Sequence, residues 1–198
     1  MYYVKKGTGL NRKVLKLGIF GDSGVGKTSI LNLFLGLKYK EDIPITKWID
    51  KIENKFVLNN GKEIKVIIWD VSGVESFRSM IMKNVKFSEG CVIVFDVTLK
   101  QSFENLSMWL DLIKKVYPNV MVFIFGNKVD YDKSEWEITN EEINKFIEEK
   151  KLKYFEVSAK GRIGINEGIE YIVNKLCEEK EYIVIPPRKK LFLLLSNT

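Results

Sequence analysis

The run VLKLGIFGDSGVGKTSILNLFLGL, residues 14–37, decides the fold. Its first third, Val14 to Phe20, is an apolar run of strand length, and Thr28 to Leu37 carries apolar residues at helical spacing. Between them lies a glycine-rich turn that matches G-x-x-x-x-G-K-[ST] through Gly21, Gly26, Lys27 and Thr28. Glycines let backbone N–H groups close around phosphate oxygens, and the following helix offers them its N-terminus. Asp22, Ser23, Gly24, Val25, Gly26, Lys27, Thr28 and Ser29 are therefore read as wrapping the phosphates of a nucleotide. Lys27 is placed to reach the β- and γ-phosphates, and the Thr28 hydroxyl to ligate Mg²⁺. By itself the motif leaves open ATP or GTP, and a kinase or a switch.

The same alternation continues outward. Asn59-Asn60-Gly61 separates two strand candidates and signals a hairpin, with KVIIWDV (65–71) as its second strand. CVIVFDV (91–97) and VMVFIFGN (120–127) are nearly unbroken apolar runs, the pattern of central strands buried on both faces. YFEVS (154–158) is the last strand. Between them SFENLSMWLDLIKKV (102–116) has a helical period with Ser102 as its cap, and TNEEINKFIEEKK (139–151) opens on a capping box of Thr139 and Glu142. The segment GINEGIEYIVNKLCEEK (164–180) sets Ile165, Ile169, Ile172 and Leu176 on one helix face. The pattern predicts an α/β fold: a mostly parallel six-stranded sheet, one antiparallel edge strand, and helices on both faces.

Composition narrows the chemistry. The chain has 198 residues, 45% of them apolar and 29% charged, with a net charge of +6. That fits one globular domain, and the charge reads as a solvated surface: no basic stripe with interleaved aromatics marks a nucleic-acid partner. There is no histidine, which excludes Ser-His and Cys-His catalysis and every imidazole metal site. Cys91 lies in a strand run and Cys177 late in a helix, so a disulfide framework is not expected, and free thiols suit a cytoplasmic setting. No run is long and apolar enough to span a bilayer, the terminal LFLLL (191–195) included.

Two later motifs choose the base. Asn127-Lys128-Val129-Asp130 follows the fifth strand, and a carboxylate at Asp130 can accept from both N1–H and the 2-amino group of guanine. Adenine lacks that pair and would leave the carboxylate unsatisfied. Ser158-Ala159-Lys160 follows the last strand, where the Ala159 N–H can meet the guanine O6. Each motif is short, but all stand at the C-terminal ends of strands, where ligands sit in such sheets.

The set GDSGVGKTS, WDVSG, GNKVD and EVSAK resembles the Ras superfamily of small GTPases, and DVTLKQSFENLSMWL (96–110) is similar to its Rab branch. The resemblance implies a P-loop small G-protein domain over residues 13–180, an N-terminal extension at 1–12 and a C-terminal tail at 181–198. It implies GTP/GDP and Mg²⁺ as cofactors, with the metal held by Thr28, by Thr46 and, through water, by Asp70. By the same resemblance Tyr39 lies against the guanine, Thr46 and the Gly73 N–H contact the γ-phosphate, and Lys27, Thr46 and Gly73 carry the catalytic contacts.

Departures from the family pattern shape the functional expectation. Val74 stands where the family has the glutamine that orients the attacking water, and valine has neither donor nor acceptor. A weak intrinsic GTPase with a long-lived GTP state is expected, or in the alternative a non-hydrolysing GTP-bound scaffold. The resemblance implies effectors and exchange factors docking on loops near 40–50 and 73–88. Yet KWIDKIENKF (47–56) and RSMIMKNVKFSEG (78–90) depart from the family, so its usual partners are not assumed. The chain ends Ser196-Asn197-Thr198 without a prenylation cysteine. Arg188-Lys189-Lys190 and Leu191 to Leu195 could dock on an anionic membrane, or pack on the domain or a second copy. The expected function is a Rab-like switch in vesicle traffic, cytoplasmic or peripheral on a membrane.

Overall fold

The computed structural model describes residues 14–44, 49–59, 61, 63–71 and 88–179. Thr46, Gly73, Val74, the 1–12 extension and the 181–198 tail lie outside the described residues. Among the described residues a six-stranded sheet has the spatial order β2-β3-β1-β4-β5-β6. The strands are β1 (Val14–Phe20), β2 (Ile49–Val57), β3 (Glu63–Val71), β4 (Gly90–Asp96), β5 (Met121–Asn127) and β6 (Lys153–Glu156). Only the β2–β3 pair is antiparallel, so the expected edge strand is β2. Its residues Lys51, Glu53 and Lys55 are exposed, charges that discourage pairing with another edge.

Period-two alternation builds two cores from the same strands. Leu15, Leu17, Ile19, Val92, Val94, Phe123 and Phe125 face one side. They meet α1 (Lys27–Phe34) through Ile30 and Leu31, and α5 (Ile165–Glu179) through Ile165, Ile169, Ile172, Val173 and Leu176. Phe20, Cys91, Ile93, Phe95, Val122 and Ile124 face the other side. There they meet α3 (Leu106–Val116) through Leu106, Trp109, Leu110 and Ile113, and α4 (Asn140–Lys150) through Ile143. The short α2 (Lys100–Glu104) precedes α3. Both cysteines are free and buried.

Local chemistry explains most boundaries. Thr139 accepts from the Glu142 N–H while the Glu142 carboxylate accepts from Thr139, so α4 opens on the expected capping box. Two expectations change. The first helix stops at Phe34 because Gly36 turns left-handed, at φ 77°; the apolar Leu35 and Leu37 lie beyond it. Ser102 does not cap a helix but sits inside α2, where its hydroxyl donates to the Leu99 carbonyl at 2.7 Å and accepts from the Asp96 N–H at 3.0 Å. It ties α2 to the end of β4, and the helical run breaks at Asn105 into α2 and α3.

Parallel pairing puts the C-terminal ends of β1, β4, β5 and β6 on one edge of the sheet. From β1 the chain goes out to the edge strand β2, turns back along β3 beside β1, and then crosses past β1 to β4. The glycine-rich turn after β1 stands at this reversal, where open α/β sheets form a crevice.

Candidate functional site

A cavity of about 340 Å³ opens at that edge. The turn after β1 supplies Ser23, Gly24, Gly26, Lys27, Thr28 and Ser29; the loops after β5 and β6 supply Asn127, Lys128, Asp130, Tyr131, Ala159 and Lys160; Tyr39, Glu41, Ile43 and Pro44 complete its rim.

The glycine turn is shaped by close approaches. A Cβ at Gly21 would lie 2.1 Å from the Val94 carbonyl oxygen, and φ there is +132°. Gly26, with φ +94°, caps the N-terminus of α1. The Lys27 ammonium donates to the Gly21 carbonyl at 2.9 Å and to the Asp22 carbonyl at 2.7 Å. It is buried, and burial lowers its pKa to about 8 against the opposing pull of Asp70 and Asp22.

At the same end Thr28 Oγ1 donates to Asp70 Oδ2 at 2.6 Å. A hydroxyl on α1 and a buried carboxylate on β3, distant in sequence, thus converge beside Lys27. Magnesium takes hard oxygen ligands, with one or two carboxylates completed by phosphates and waters. Thr28 and Asp70 fit that set and are the described residues that would hold the ion.

Asp22 and Val25 differ from their neighbours, since neither side chain lines the cavity. Val25 is fully buried in the core. The Asp22 carboxylate turns outward, accepting from Asn105 Nδ2 at 2.6 Å and Trp109 Nε1 at 2.8 Å. Both positions can serve a ligand only through their backbone.

The end of the cavity lined by the loops after β5 and β6 is held by a polar network. Asn127 Nδ2 donates to the Val25 carbonyl at 2.8 Å, and Asn127 Oδ1 accepts from the Ala159 N–H at 3.3 Å. One amide therefore joins all three loops. Ser158, fully buried, donates to Asp130 Oδ1 and accepts from the Gly161 N–H at 2.7 Å, which fixes the orientation of the Asp130 carboxylate. Lys128 has a left-handed backbone, φ 70°, and its ammonium meets Asp96 Oδ2 at 2.5 Å. Lys160 reaches across the rim to Glu41 at 3.4 Å, an exposed pair that contributes little to stability.

Sequence reasoning missed Asp96, Asn105, Trp109, Glu41 and Tyr131. Asn105 and Trp109 lie 83 and 87 residues from Asp22, and no local pattern links them. The signal for Asp96 was its place at the end of a buried strand, paired in register with Asn127.

Sheet order, glycine turn and cavity define a P-loop nucleotide-binding α/β domain. The Ras family model matches residues 16–178. Ras-related protein Rab-7b of Mus musculus is 35% identical over 165 residues, 81% of each chain. The Ypt/Rab-type GTPase ypt7 of Schizosaccharomyces pombe is 34% identical over 179 residues, 87% of each chain. A probable Rab-related GTPase of Acanthamoeba polyphaga mimivirus is 32% identical over 166 residues, 83% of this chain and 77% of its own. The chain belongs to the Ras family. Within it, it is a divergent, Rab-like GTPase, a GTP-binding switch of a family that binds guanine nucleotides and works with regulators and effectors.

Proposed function

We propose that this chain is a membrane-traffic switch that binds GTP with Mg²⁺ and keeps the γ-phosphate for a long time. The observation that supports it is the Asn127 side chain, which joins a phosphate loop to two guanine-type loops around one cavity. In this reading Lys27 leaves the Gly21 and Asp22 carbonyls to pair with the β- and γ-phosphates. Backbone N–H groups from Ser23 to Thr28 cradle the phosphates at the start of α1. Asp130, oriented by Ser158, accepts from the guanine edge, the Ala159 N–H meets O6, and Tyr39 covers the base. Thr28, Thr46 and, through water, Asp70 would hold Mg²⁺, which would supply neutralisation of phosphate charge.

Slow hydrolysis rests on the sequence alone: Val74 offers no group to orient a water, while positioning and electrostatics leave a residual rate. Gly73 retains its N–H as the γ-phosphate contact. Loops near 40–50 and 73–88 are the surfaces for effectors and exchange factors. The segment 188–195, basic then leucine-rich, gives peripheral contact with anionic membranes; no described helix is long and apolar enough to cross one.

Single-turnover hydrolysis of GTP by the wild type and by Val74→Gln tests the reading. A slow wild type and a faster variant are expected, and equal rates sink the role given to Val74. Undetectable turnover in both would favour the scaffold alternative. Flotation with liposomes containing anionic lipid, with and without residues 186–198, tests the tail.

A further inference from the structure

The phosphate loop carries one acidic side chain, Asp22, at the entrance to a site that must accept anions. A carboxylate free to swing toward the phosphates would repel them by Coulomb interaction. It is instead turned away and held on both oxygens, with Asn105 Nδ2 at 2.6 Å from Oδ2 and Trp109 Nε1 at 2.8 Å from Oδ1. Asn105 and Trp109 stand one turn apart at the start of α3, on one helix face. Trp109 is 1% exposed and packs among the strand residues of the second core, with its ring 6.5 Å from that of Phe20. The anchor is thus rigid, and the acceptor is charged, which makes both hydrogen bonds of the stronger kind. The backbone of the same residue carries the other half of the relation: the Asp22 carbonyl accepts from the Lys27 ammonium at 2.7 Å. On the other side, the Gly21 backbone lies against the Val94 carbonyl of β4, too close for a Cβ.

We infer that Asn105 and Trp109 are positioning residues for nucleotide retention: α3 holds Asp22 outward, and so keeps the phosphate loop open to an anion. Neither side chain touches the cavity, so both act through Asp22. The effect falls on the diphosphate end of the ligand, not on base choice, which Asp130 governs. The inference rests on the guanine-nucleotide reading of the cavity.

Release of a fluorescent GDP derivative from the full-length chain tests it. Asp22→Asn can satisfy one donor but sets its amide against the other; Asn105→Asp sets carboxylate against carboxylate. Asn105→Asp, which frees a charged Asp22 carboxylate, is expected to speed release about tenfold or more, the scale of a lost charged hydrogen bond. Asp22→Asn, which loosens the anchor but carries no charge to repel the phosphates, is expected to speed it less. In the double variant, Asp22→Asn with Asn105→Asp, donor and acceptor trade places: the amide at 22 donates to the carboxylate at 105 and keeps its oxygen for the indole. Release is expected to return to within about threefold of wild type, with the preference for GDP over ADP unchanged throughout. An Asn105→Asp variant that releases GDP at the wild-type rate, or a double variant no slower than that single, overturns the inference. If a single variant fails to fold, Trp109→Phe, which removes one donor and no charge, replaces it; unchanged release then overturns the inference. A wild type that does not bind GDP overturns the reading of the cavity instead.

Discussion

Asn127 stands so close to Gly26 that a Cβ at position 26 would lie 2.3 Å from Asn127 Nδ2. The same nitrogen donates to the carbonyl of Val25, the preceding residue. The loop after β5 and the phosphate loop are thus fitted to each other at one glycine, whose φ of +94° a side chain would also strain.

Two variants should expose that fit. Asn127→Ala removes the link from the Val25 carbonyl to the Ala159 N–H, both buried, at a cost of about 1–3 kcal/mol. Dissociation of GDP should accelerate by about 5- to 150-fold. Gly26→Ala should force Asn127 out and weaken nucleotide binding at least as much. Stopped-flow release of fluorescent GDP measures both.

Ser158→Ala leaves Asp130 in place but unoriented. Affinity for GDP should fall about tenfold, with guanine still preferred. Asp130→Asn, by contrast, should exchange the preference itself, because an amide complements the carbonyl that xanthine carries where guanine has an amino group. Competition among GDP, XDP and ADP separates the two outcomes.

Lys27 should make nucleotide binding pH-dependent. Its folded pKa is lowered from 10.5 to about 8. Between those values the unfolded chain binds more protons than the nucleotide-free fold, so this group's contribution to stability rises with pH across that window. Phosphates need the charged ammonium, so GDP affinity should fall as pH rises through about 8, approaching tenfold per pH unit beyond it. Calorimetric titration should show this slope in the wild type and its loss in Lys27→Met.

Val74→Gln should raise the single-turnover rate of GTP hydrolysis by about tenfold or more, equivalent to about 1.4 kcal/mol of barrier. Quench-flow analysis of GTP and GDP after a single mixing decides it.

Much of the fold was legible because its signals are local. Val92 and Val94 alternate with Cys91, Ile93 and Phe95, and that alternation assigns the two cores. Thr139 and Glu142 announce α4 within four residues. The split of α2 from α3 was not legible. Apolar spacing runs through Asn105 unbroken, and the break depends on Ser102 bonding back to the end of β4.

The site divides along the same line. By itself the sequence determined the phosphate turn, since Gly21 and Gly26 meet backbone demands that few other residues satisfy. It also marked the two motifs proposed to read the base, whose donors and acceptors sit within three or four consecutive residues. Only the tertiary structure decided that Thr28 meets Asp70, that Asn127 spans three loops, and that Asp22 faces Asn105 and Trp109 instead of the cavity. Those partners are brought together by strand order and helix packing, and a buried hydrogen bond between them depends on distance in space, on which spacing along the chain is silent.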